Sequence, residues 1–106
     1  MAILQTDVPM TSDLCRRTME ALAARYPAFR LETLTTTAFD RPVQALRIGQ
    51  GQRRVLYSAA HHANEWITAP GLLKFLEELA AADEAGGTLF GVPTKTILNA
   101  ATIFAV

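Results

Sequence analysis

The chain has 106 residues, half of them hydrophobic, and its ten basic and ten acidic side chains cancel to a formal charge of zero. That length fits one domain with a modest core, and the scatter of charge without blocks argues against nucleic acid or an anionic membrane surface as a partner. No segment has the apolar length of a membrane span, and the start "MAILQTDVPM" lacks a basic stretch followed by a long apolar run, so the expected location is the cytoplasm.

From Thr11 the pattern predicts an amphipathic helix. Thr11 or Ser12 can cap it, Asp13 suits the positive end of its dipole, and Cys15, Met19, Leu22 and Tyr26 form one stripe until Pro27 stops it. Cys15, the single cysteine, has no internal disulfide partner and reads as a small core residue. "FRLETLTTTAF" and "VQALRIG", separated by the turn "DRP", predict a β-hairpin. After "GQGQ", the run "RRVLYSAA" has little alternation and predicts a central strand covered on both faces.

Ala69, Leu72, Leu73, Leu76, Leu79 and Ala80 then recur at helical spacing, with Lys74, Glu77 and Glu78 on the other face. This makes "WITAPGLLKFLEELAAA" a surface helix packed on a sheet, with Pro70 near its start. "DEAGGTLFGVP" reads as a loop, "TKTILNAA" as a short helical turn, and "TIFAV" as a further strand. A chain that stops inside an apolar strand is expected to be the front of a larger domain, so residues 1–106 are expected to be a partial domain cut short at the C-terminal side. Its exposed strand edges would then invite self-association.

Both histidines sit in "YSAAHHANEWITAP", at the carboxyl end of the expected central strand, where open α/β sheets place ligands. Adjacent residues leaving a strand point to opposite sides, so His61 and His62 are not expected to bind one ion together. Glu65, three residues after His62, can bring a carboxylate oxygen toward the same point as the imidazole, a donor pair that zinc accepts. A catalytic zinc needs a third ligand, and the chain has no other histidine. On spacing alone two readings stay open, a metal site and a hydrogen-bonded polar turn. Trp66 is either packed core or a substrate contact. Arg41, Arg47, Arg53 and Arg54 form either a carboxylate clamp or solvated faces.

The wording of this stretch adds to the spacing. "HHANEWITAP", preceded by a strand and followed by "LLKFLEEL", resembles the first zinc-binding segment of the zinc metallocarboxypeptidase family. The doubled histidine with Ala-Asn resembles the branch containing γ-D-glutamyl-meso-diaminopimelate peptidases, which cut bacterial cell-wall peptides. "RYPAFRLETL", "DRPVQALRIG", "RRVLYSAA" and "TIFAV" are similar to successive elements of that catalytic domain. The resemblance implies the N-terminal part of a mixed-sheet α/β/α domain in the order helix, two-strand hairpin, central strand, helix, further strand.

It also implies His62 and Glu65 as zinc ligands, while His61 matches no universal ligand. Asn64 stands where digestive members have arginine. The family's third ligand, its carboxylate-binding arginines and its general-base glutamate come later in the family's domain. No catalytic residue is therefore expected in this chain, and one zinc ion is expected in a full-length parent, bound weakly or not at all by the 106 residues alone. The implied activity is zinc-dependent hydrolysis of a peptide amide in a peptide or muropeptide substrate. The alternatives are a non-catalytic interaction module built on the same fold and a general metallocarboxypeptidase acting on ordinary C-terminal residues.

Overall fold

Helix α1 (Ser12–Arg25) starts where its cap predicts in the computed structural model, which describes residues 3–5, 7–60 and 66–106. Thr11 is extended (φ −112°, ψ 166°) and its Oγ1 accepts the Leu14 amide hydrogen at 3.1 Å, satisfying one of the donors that a helix start leaves open. Met19, Leu22 and Tyr26 are buried and Cys15 is half-buried. The helix stops because Tyr26 precedes proline, which pushes it into extended backbone (φ −116°, ψ 108°).

Strands β1 (Phe29–Thr36) and β2 (Pro42–Gly49) form the expected antiparallel hairpin, with Phe29 opposite Ile48 and Leu31 opposite Leu46. Its turn needs Asp40 at φ +58°, a left-handed conformation that aspartate tolerates better than most residues. The chain continues through β3 (Arg53–Tyr57), α2 (Thr68–Glu84), β4 (Thr88–Leu89), β5 (Val92–Pro93), α3 (Thr94–Ala100) and β6 (Ala101–Ala105). The expected "DEAGGTLFGVP" loop thus contains a two-strand ribbon, turned by Phe90 and Gly91 at φ +51° and +80°. Paired positive φ values are what a tight hairpin turn demands.

The main sheet has the order β1-β2-β6-β3, with β6 antiparallel to β2 and parallel to β3. This corrects one expectation. The crossover through α2 brings β6 back between the hairpin and β3, so within this chain β6 takes the interior position and β3 lies at the margin, its Leu56 68% exposed. The turn before β3 is wedged against the α3–β6 junction. A Cβ on Gly51 would lie 2.0 Å from the carbonyl carbon of Ala100, which leaves room for glycine alone.

Strand register divides the sheet into two faces. Phe29, Ile48, Ile103 and Val55 form one row across all four strands, and Leu31, Leu46, Ala105 and Tyr57 the next. On this face α1, α2 and α3 contribute Leu22, Leu76 and Leu98 to a shared core, and Tyr57 meets the Phe75 ring edge-on at 6.1 Å. Leu22, Leu46, Ile48, Leu76 and Leu79 are under 2% exposed, each contributing about 1.5–3 kcal/mol of burial.

Helix α2 keeps the expected apolar stripe, but Glu77 departs from the solvated face assigned to it. It is 5% exposed and accepts the amide hydrogens of Ile3 and Leu4, the latter at 3.2 Å. The acidic side chain faces inward because a segment more than seventy residues away in sequence delivers donors to it. At the far end of the same helix, Glu84 makes a two-pronged ion pair with Arg25, at 2.7 and 2.8 Å, tying the C-terminal ends of α1 and α2 together.

The Arg25 hydrogen bond holds the Glu84 carboxyl below the usual glutamate range. A lowered carboxyl pKa stabilises the fold above the unfolded-state value near ~4.3 and loses that contribution as pH falls through the folded value. Glu84→Gln is therefore expected to lower the melting temperature slightly at neutral pH. The gap from the parent chain should close as a pH series passes below the ordinary glutamate range, and calorimetry checks it.

Candidate functional site

The two parallel strands end side by side. The Val106 amide donates to the Tyr57 carbonyl at 2.9 Å and the Ala59 amide to the Val106 carbonyl at 3.2 Å, carrying the β3–β6 pairing past the last strand residues. Ala60 follows at φ +55°, where an L-residue other than glycine costs about 1–2 kcal/mol. Its amide hydrogen goes to Thr68 Oγ1 at 2.7 Å. Backbone strain of this kind clusters at functional sites.

These contacts join the last residue before the histidine pair to the first residue of α2. His61, His62, Asn64 and Glu65 lie outside the described residues, so the structure supplies the ends of the segment between which the two expected ligands sit. On the helix side, Trp66 accepts the Ala69 amide and Ile67 the Gly71 amide through their carbonyls, at 3.1 and 3.4 Å. Ile67 caps α2 without a side-chain hydrogen bond, and the first turn carries no acidic residue. The positive end of α2 thus carries no acidic side chain of its own. Among the described residues, no three histidine, cysteine, aspartate or glutamate side chains come together as a metal-holding group.

Beneath this junction lies a largely apolar cavity of about 310 Å³ between the N-terminal ends of α1 and α2, floored by Leu46 and Ala105. Trp66 lines it with part of its ring while remaining 37% exposed, so it belongs to both the packing and the open surface. Cys15 lines it as well, and burial pushes its thiol pKa up, which disfavours the thiolate and agrees with a packing role.

The four arginines do not converge on the junction. Arg41 donates to Ser12 Oγ at 2.8 Å, and Arg47 pairs with Glu32 at 3.4 Å. Arg53 and Arg54 stand at the opposite end of β3 from the histidines, so the clamp reading is not met within this chain. Thr68 and Ala60 were missed in the sequence reading. A threonine at a helix start is a weak signal on its own, and an alanine at positive φ leaves no trace in sequence at all.

A strand thus leads through a strained, clamped junction into a helix, with the sequence positions of His62 and Glu65 between them. The sequence model for zinc carboxypeptidase matches residues 15–90, and the chain belongs to that family. It is 30% identical over 85 residues to gamma-D-glutamyl-L-diamino acid endopeptidase 1 of Lysinibacillus sphaericus, a match covering 80% of this chain and 22% of that protein. Among solved structures it superposes on bovine thrombin-activatable fibrinolysis inhibitor (TM-score 0.73, 14% identity, 92% of this chain and 30% of that one). A metallo-carboxypeptidase from Burkholderia cenocepacia is similar as well (TM-score 0.71, 18% identity, 92% and 26%). These likenesses establish the mixed-sheet α/β fold. The chain spans about a fifth of the length of the curated relative. Among the described residues no helix is long and apolar enough to cross a membrane.

Thr68→Val removes the acceptor for the Ala60 amide and with it the tie between the end of β3 and the start of α2. In a longer protein that binds zinc, its affinity is expected to fall about tenfold, the lower end of the cost of losing a supporting contact around a metal. Thr68→Ser should restore it, and equilibrium dialysis with zinc measures both.

Proposed function

We propose that this chain supplies the first metal-binding segment of a zinc-dependent peptidase, with His62 and Glu65 as ligands, acting in the full-length protein on an amide of a γ-D-glutamyl-diamino acid peptide from the bacterial cell wall. The observation that carries the reading is the junction between Ala60 and Thr68: strained backbone and a 2.7 Å clamp that ties the end of β3 to the start of α2 on either side of the stretch bearing both donors. Family membership supports peptide hydrolysis. The "HHANEWITAP" wording and the similarity to an endopeptidase of that specificity support the cell-wall substrate.

Imidazole nitrogen and carboxylate oxygen are donors that zinc takes in type. Zinc bound there would lower the pKa of a coordinated water and polarise the scissile carbonyl. The chain's own contribution is to supply two donors in the short stretch between the end of β3 and the start of α2. The third ligand, the general base and the groups that orient the substrate carboxylate come from the remainder of the domain, so residues 1–106 form a partial catalytic domain that binds zinc poorly and turns over no substrate alone.

The full-length protein should release diaminopimelate from a γ-D-glutamyl-diaminopimelate peptide in the presence of zinc, followed by mass spectrometry. Preferential removal of ordinary C-terminal residues from α-linked peptides would instead make it a general metallocarboxypeptidase, and cleavage of neither would defeat the reading.

A further inference from the structure

Strand β1 closes one margin of the main sheet, paired with β2 along one side and with no strand among the described residues along the other. Such a margin presents a row of unpaired amide and carbonyl groups, and proteins that keep it single blunt it with proline, lysine or distortion. Phe29–Thr36 contains neither proline nor lysine. Its one irregularity is a bulge at Leu34, where the register with β2 shifts between Thr33 and Thr35. The Phe29 amide, taken by the Tyr26 carbonyl at 3.1 Å, bounds the strand at its start. The ladder is regular from Phe29 to Thr33, and the midpoint of that stretch is Leu31.

Charge along the same stretch is unbalanced within one chain. Register sets Arg30 directly opposite Arg47, and like charges so placed repel. Arg47 has Glu32 at 3.4 Å, whereas Arg30 is exposed and makes no ion pair with a described residue. A two-fold axis perpendicular to the sheet at Leu31 sets Arg30 of each copy opposite Glu32 of the other, and Leu31 against its own equivalent. Moving that axis by one residue in either direction sets Arg30 against Arg30 or Glu32 against Glu32. The regular stretch and the opposite charges therefore select the same centre.

We propose that β1 pairs antiparallel with β1 of a second copy of the chain, centred on Leu31, so that two sheets join edge to edge through one self-complementary seam. Each Glu32 then bridges its own Arg47 and the second copy's Arg30, and the seam holds two complementary charge pairs. Leu31, half-buried against the core in one chain, gains cover from its equivalent across the axis. The seam lies at the margin of the sheet opposite to β3, so this inference is independent of the zinc reading.

The test is sedimentation velocity on the full-length protein across a concentration series, with circular dichroism checking that each variant is folded. The parent protein is expected to dimerise. Arg30→Glu and Glu32→Arg should each weaken the dimer at least about tenfold, since both seam pairs turn from attraction to repulsion. An equimolar mixture of the two variants should recover the parent affinity to within about threefold, because one copy then presents two carboxylates and the other two guanidinium groups at the facing positions. Raised salt should weaken the parent dimer and strengthen association of each variant alone. A monomer at every concentration would leave the edge to a different chain or to solvent and overturn the proposal. So would a dimer that neither substitution weakens, or a mixture that associates no better than its two components.

Discussion

His62→Ala and Glu65→Ala, each made in the full-length protein, should abolish hydrolysis and bound zinc together while leaving the fold in place. Losing a group that merely supports a ligand costs about 10–100-fold in metal affinity, and losing a ligand itself is expected to cost more than that upper figure. The fold should persist because Ala60, Trp66 and Thr68, at the rims of the segment, are not part of the buried cluster centred on Leu22, Leu46 and Leu76. His61→Ala is the internal control, expected to retain zinc. Metal content by mass spectrometry, read beside circular dichroism, separates ligand loss from unfolding. Zinc retained by the Glu65→Ala variant would remove Glu65 from the site.

Glu77→Ala should be among the most destabilising single changes. It strips the acceptors from two amides, those of Ile3 and Leu4, where Leu4 is itself 5% exposed. An unsatisfied buried donor costs about 1–3 kcal/mol, which applies to the buried Leu4 amide, while the part-buried Ile3 amide adds less. A domain of this size holds about 5–15 kcal/mol in all. Urea titration is expected to show a midpoint shifted far down. Glu77→Gln, which keeps one acceptor oxygen, should recover part of the loss, and a variant truncated before Asp7 should be insensitive to either substitution. If Glu77→Ala left the midpoint unchanged, the carboxylate would not be what seats the N-terminal segment.

The misplacement of Glu77 shows where sequence reading reaches its bound. The stripe Met19, Leu22, Tyr26 and the Thr11 cap were readable because a helix writes its period and its start into neighbouring residues. The same holds for α2 and for the hairpin, whose β-branched runs flank a turn-forming "DRP". Glu77 looked solvated because periodicity assigns faces by polarity, and only the distant Ile3 and Leu4 amides make the inward position tolerable. The position of β6 between β2 and β3 was equally hidden, since order in a sheet is fixed by the crossover and not by the strand's own residues. The turn at Phe90 escaped because its backbone is of a kind that phenylalanine rarely adopts. The family was legible in the wording around "HHANEWITAP", while His62 and Glu65 lie outside the described residues. The strained Ala60 and its clamp to Thr68 were not legible.

The sheet order carries a consequence for how the chain acquires its structure. The β1–β2 hairpin joins residues close in sequence, so it can form early and cheaply. Strand β6 pairs Ile103 with Ile48 on one side and with Val55 on the other, across separations of about fifty residues, and such closures are slow. Until it arrives, the hairpin and β3 each present an open apolar edge toward a gap that only β6 fills. Closure of this one five-residue strand against the hairpin and β3 is therefore expected to be the slow step of folding, and the time before it is the interval in which another chain can take its place.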